Sequence, residues 1–115
     1  MSSVIQLHPD PPRCRYGWTR QEAQQHFADL VVSDERIHAV QHCYQRMEER
    51  DINWRQVLTV LRHGSLVHGP ALHDLIWRSK FRGHAAGQEI SVVIDIEKDQ
   101  MGHLIAVITV IDHDV

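Results

Sequence analysis

His42, Arg46 and Arg50 recur every four residues, so on a helix one imidazole and two guanidiniums stand in a row along one side, with Tyr44 and Met47 on another. Imidazole is the side chain that gains and loses a proton near neutral pH, and guanidinium holds a phosphate through paired hydrogen bonds. Together they point to chemistry on a phosphate. A second set of cations, Arg78, Lys80 and Arg82, alternates with other residues and so shares one face of a strand. Their repeat of roughly 6.6 to 6.8 Å is close to the spacing of successive phosphates in an extended single strand. The same residues admit a plainer reading, in which Arg46 and Arg50 pair with Glu49 and Asp51 on a solvated helix face. His38 and His42 stand at i, i+4 if one helix runs through both, a spacing that binds zinc when a third ligand converges. Glu49 lies roughly two turns from His42 and no other third ligand is visible, so neither a metal nor a cofactor is expected.

The chain that must position these groups has 115 residues, enough for one domain that buries roughly two-thirds of its unfolded surface. It is 43% hydrophobic and 23% charged, a composition that excludes general disorder. A net charge of -3 excludes a uniformly basic coat but not a local basic patch. Ten histidines are scattered from His8 to His113, and their number alone predicts nothing. Cys14 and Cys43 show no CxxC spacing, and the start of the chain lacks the pattern of a secretion signal, so free thiols and a cytoplasmic location are expected. The apolar run Leu104–Ile111 is too short for a membrane-spanning helix, and no membrane partner is expected.

Residues 1–18 read as an extended arm whose Arg13 and Arg15, with Arg20 just beyond, could touch a partner, and 19–115 as the domain. Thr19 and Glu22 form a capping box that opens an amphipathic helix over 20–32. Residues 33–50 leave two readings open: one long helix from Ser33, or a short edge strand at 36–39 followed by a helix from near Gln41. Asn53 and Gln56 cap a further helix, which buries Trp54, Val57, Leu58 and Leu61 and stops at Gly64, where a left-handed residue is expected. Beyond Gly64 the apolar period changes from 3.6 to 2. Residues 65–68 make a strand broken by Gly69-Pro70, and 75–82 place Leu75, Trp77 and Phe81 opposite the cations. Ile90, Val92, Ile94 and Ile96 mark the next strand, while 104–111, apolar on both faces, is an interior one. The fold class is therefore α+β, with N-terminal helices packed on a mainly antiparallel sheet of about four strands.

Four segments carry a resemblance: His42-Cys43-Tyr44-Gln45-Arg46-Met47-Glu48-Glu49-Arg50-Asp51-Ile52, Val57 to Gly64, Trp77 to Gly83, and Val107-Ile108-Thr109-Val110. They resemble a bacterial family of small domains of uncharacterised function, recognised by a His-x-x-x-Arg-Met-x-x-Arg-Gly-Ile helix, a Val-Leu-x-x-Leu-x-x-Gly helix, a Trp-Arg-x-x-x-x-Gly strand and a final Val-x-Thr-Val strand. Asp51 stands where that pattern has Gly, Cys43 where Ala is common, and Val40 where Ser or Thr would cap the helix. The family is similar in layout to the superfamily of barnase-like, EndoU-like and RelE-like ribonucleases, many of them toxins held by antitoxins, an analogy at the level of fold.

Two functions follow as expectations. One is a metal-independent, toxin-type endoribonuclease acting on single-stranded RNA. His42 would be its acid or base, Arg46 and Arg78 its phosphate clamp, and Arg50, Lys80, Arg82 and Thr109 its further substrate contacts. The other is a non-catalytic module whose Arg78, Lys80 and Arg82 meet an acidic protein partner such as an antitoxin. Convergence of His42 with Arg78 and Lys80 in one cleft favours the first, and placement on different faces the second.

Overall fold

The computed structural model describes residues 10–113. Both capping boxes form where Thr19 and Asn53 place them. Thr19 Oγ1 accepts from the Glu22 amide at 3.2 Å while Glu22 Oε1 accepts from the Thr19 amide at 2.9 Å, opening helix α1 (Arg20–Leu30). Asn53 and Gln56 do the same for α3 (Trp54–His63). Between them, residues 33–50 are not one helix. A single 3₁₀ turn leads into β1 (Ile37–Ala39), Val40 stays extended, and α2 spans Gln41–Arg50. The strand prevails because it buries Ile37 and gives the chain a ladder partner, which a helix from Ser33 would forgo. The i, i+4 pairing of His38 with His42 disappears with that helix.

The strands β2 (Ser65–His73), β3 (Ile76–Ala85), β4 (Gln88–Lys98) and β5 (Leu104–His113) follow as hairpins. The sheet order is β1-β5-β4-β3-β2, with β1 parallel to β5 and every other pair antiparallel. The sheet is thus mainly antiparallel, as expected, with five strands where about four were expected and one parallel pair, and β5 is interior. β2 is not broken at Gly69-Pro70. As an edge strand it can carry a proline, and two register shifts, between Leu66 and His68 and between His68 and Ala71, absorb it. Leu75 sits in the turn before β3 with φ 64° and lies exposed, so the core-facing residues of β3 are Trp77, Ser79 and Phe81.

All three helices cover one face of the sheet. Ile90, Val92, Ile94 and Ile96 of β4 and Ala106, Ile108 and Ile111 of β5 pack there against Val57, Val60 and Leu61 of α3, Cys43 and Met47 of α2, and Leu30 of α1. Residues 13–18, read from sequence as part of the arm, fold onto this body. Cys14 is buried with Ala23 and Trp77, and the Trp77 indole N–H donates to the Trp18 carbonyl at 2.9 Å. Residues 1–9 of that arm lie outside the described residues.

Gly64 ends α3 without the expected left-handed turn, since its φ is -76°. Close approach explains the glycine: a Cβ there would lie 2.5 Å from the Val60 carbonyl oxygen and 2.7 Å from that of Arg82. Gly83 faces it, with its own Cβ position 3.1 Å from the Gly64 Cα. The left-handed residue is instead Asp51, φ 54°, which closes α2 where the motif carries glycine. No helix among the described residues is long and apolar enough to cross a membrane.

Candidate functional site

β1 ends where the Val40 amide donates to the Ile108 carbonyl at 3.0 Å, and α2 then runs beside the stretch of β5 beyond the three residues that β1 pairs, whose free edge has no ladder partner on that side among the described residues. At that point β5 carries an extra residue. Val93 pairs with Val110 and Ile94 with Ile108, which leaves Thr109 in a bulge without a ladder partner on β4. The His42 Nε2 lies 2.9 Å from the Thr109 carbonyl oxygen. A carbonyl can only accept, so Nε2 carries the proton, and in the neutral ring Nδ1 holds the lone pair. His42 is exposed, as is Arg46 one turn along. Arg50 extends the row but turns toward Asp112 at 3.8 Å. Beneath His42, Cys43 is fully buried; burial pushes its thiol up, against a weaker opposing backbone hydrogen bond from Ile111, and makes it a packing group. The Thr109 hydroxyl donates within the sheet, to the Val93 carbonyl at 3.4 Å.

Arg78, Lys80 and Arg82 share the face of the sheet opposite the helices, as their alternation requires. The acids across from them were not legible as partners. Arg78 forks onto Asp95 of β4 through Nε at 2.7 Å and Nη2 at 3.0 Å, and this hydrogen bonding raises the guanidinium further. Arg82 lies 3.8 Å from Glu89. Lys80 forms no ion pair with any described residue. Glu97, two residues beyond Asp95 on the same face, has its carboxyl raised, first by burial and then by Asp95, with Arg15 and Arg78 partly offsetting both.

The register sets these groups in two rows across the open face. One reads Arg78, Asp95, Val107, His38 and the next Lys80, Val93, Val110. The second row ends beside Thr109 and hence beside His42. The structure brings His42 to Thr109, and keeps Arg46 and Arg50 on the same helix. It does not bring His42 into one cleft with Arg78 and Lys80, because β4 and β5 intervene and β3 stands about 9.5 Å from β5. His38, read from sequence only as a possible zinc ligand, lies exposed on the open face. The inward isoleucines of β4 were the available signal for Asp95 and Glu97, since they force the intervening residues outward. Among the described residues no three His, Cys, Asp or Glu side chains are grouped to hold a metal ion.

A family model described as a domain of unknown function (DUF4258) matches residues 31–112, a span that takes in β1 through β4, all of β5 but its last residue, and all four motif segments. No curated protein and no solved structure matches the chain.

Proposed function

The chain belongs to the DUF4258 family, domains of unknown function, and from the setting of His42 we propose that it cleaves single-stranded RNA without a bound metal. The observation that carries this reading is the hydrogen bond from His42 to the Thr109 carbonyl, which orients the ring and leaves Nδ1 as an exposed base. Nδ1 takes the proton of a ribose 2′-hydroxyl, the 2′-oxygen bonds to phosphorus, and the bond from phosphorus to the 5′-oxygen breaks. The leaving oxygen takes a proton from an imidazolium, a part assigned to His38, which lies exposed on the open face. The products are a 2′,3′-cyclic phosphate and a 5′-hydroxyl. Arg46 supports the phosphate, and Lys80, the stripe cation with no counter-charge among the described residues, holds the strand as it crosses the sheet.

Two observations favour a second reading, a non-catalytic protein-binding module: His42 shares no cleft with Arg78 and Lys80, and the stripe itself is partly neutralised. Asp95 and Glu89 offset two of the three stripe cations, which weakens the face as a phosphate track. The test is purified full-length chain with single-stranded RNA at low salt in EDTA. Cleavage should fall about 10²- to 10⁴-fold in His42→Ala with binding retained. Lys80→Glu should weaken binding and flatten its salt dependence. Wild type that neither binds nor cuts RNA, or His42→Ala that cuts as well as wild type, returns the assignment to the binding module.

A further inference from the structure

The core-facing positions of β3 read Trp77, Ser79, Phe81, which sets a hydroxyl in the middle of an aromatic stripe. Ser79 is 8% exposed, and its hydroxyl makes no hydrogen bond with any described residue. It lines a cleft of about 60 Å³ between α1 and the sheet, walled by Phe27, Leu66, Pro70, Trp77 and Phe81. Phe27 and Phe81 stack at 5.0 Å between ring centroids, and the Trp77 indole is tied to the Trp18 carbonyl, so these walls are set by the fold. α1 leaves the space because only Ala23 and Leu30 of its residues are buried, and Ala23 is too small to fill the cleft it borders.

Water suits this cleft poorly. A held water needs two to four polar partners, whereas here the only polar side chains in the lining are Ser79 and Gln24. The space equals roughly four to six water-sized probes, on the scale of one small ring and far below a drug-sized ligand. We propose that this cleft binds a single-ring aromatic amphiphile of the phenol or indole class, the ring against Phe27, Phe81 and Leu66 and its O–H or N–H donated to Ser79 Oγ. The site lies on the helix-covered face of the sheet and is independent of the RNA reading. Aromatic walls supply ring contacts, and the lone hydroxyl discriminates a ring with one polar group from a bare hydrocarbon.

The experiment titrates phenol, indole and toluene into the full chain while following backbone amide shifts by NMR. Phenol and indole should saturate, with shifts concentrated at Ala23, Phe27, Ser79 and Phe81, and should bind about ten-fold more tightly than toluene. Ser79→Ala should remove that preference while toluene affinity holds. The idea is overturned if toluene binds wild type as tightly as phenol, if no saturable shift appears at the cleft, or if Ser79→Ala leaves the preference intact. Cleft shifts that follow protein concentration alone would place a second copy of the chain there and overturn it equally.

Discussion

Gly64→Ala sets two effects of opposite sign against each other. The backbone at Gly64, φ -76° and ψ 179°, is open to any residue, so alanine by itself should stabilise the fold by about 0.4–1 kcal/mol through the unfolded chain. Against this, the new Cβ would lie 2.5 Å from the Val60 carbonyl oxygen and 2.7 Å from that of Arg82. Neither atom is free to move. Val60 O accepts from the Gly64 amide at the end of α3, and Arg82 lies within the β3–β4 ladder. Relief requires the end of α3 to lift from β3, an overpacking cost of about 1–3 kcal/mol. The net expectation is a loss of about 1–2 kcal/mol, which for a domain of this size lowers Tm by roughly 4–12 °C. Urea titration followed by circular dichroism measures the first and a thermal scan the second. Gly83→Ala, whose Cβ would meet the Gly64 Cα at 3.1 Å, should lose less. A Gly64→Ala protein as stable as wild type, or more so, would refute the close-approach argument.

Asp51→Gly should stabilise the fold by about 0.5–1 kcal/mol in urea, because Asp51 bears the left-handed conformation that glycine adopts without strain; a loss would show that its side chain matters more. Arg78→Ala should cost more than Asp95→Ala, since the first leaves a carboxylate side chain only 9% exposed without its partner and the second leaves a guanidinium 29% exposed to water. Equal losses would count against that asymmetry. Glu97 has its carboxyl raised in the folded chain, so its contribution is present below the unfolded value and lost as pH rises through the folded one. Glu97→Gln should therefore raise Tm at neutral pH and converge with wild type in acid, and a Tm difference independent of pH would contradict this.

The DUF4258 match spans 31–112, so the motif segments and the sheet are one unit, while α1 and residues 13–18 precede it and yet pack on it through Phe27, Cys14 and Trp18. That packing creates the cleft at Ser79, and the isolated hydroxyl between Trp77 and Phe81 was its only trace in the sequence.

What the amino-acid sequence determined by itself is what short-range interactions decide. Thr19 with Glu22 and Asn53 with Gln56 set both helix starts over three residues, and the change of period after Gly64 announced the strands. The apolar run at 104–111 placed β5 inside the sheet. Tertiary structure decided the rest, wherever residues close in sequence were given partners far from it. Ile37–Ala39 became a strand because β5 was there to pair with it, nearly seventy positions later. Gly64 is glycine because Arg82 comes close, and Leu75 left the core because the turn before β3 took it. The cation stripe was legible, but its pairing with Asp95 and Glu89 depended on hairpin register, which one residue of slip would have changed. The meeting of His42 with Thr109 rests on the bulge in β5 and on α2 lying along a free edge, and neither is written within a few residues of the imidazole.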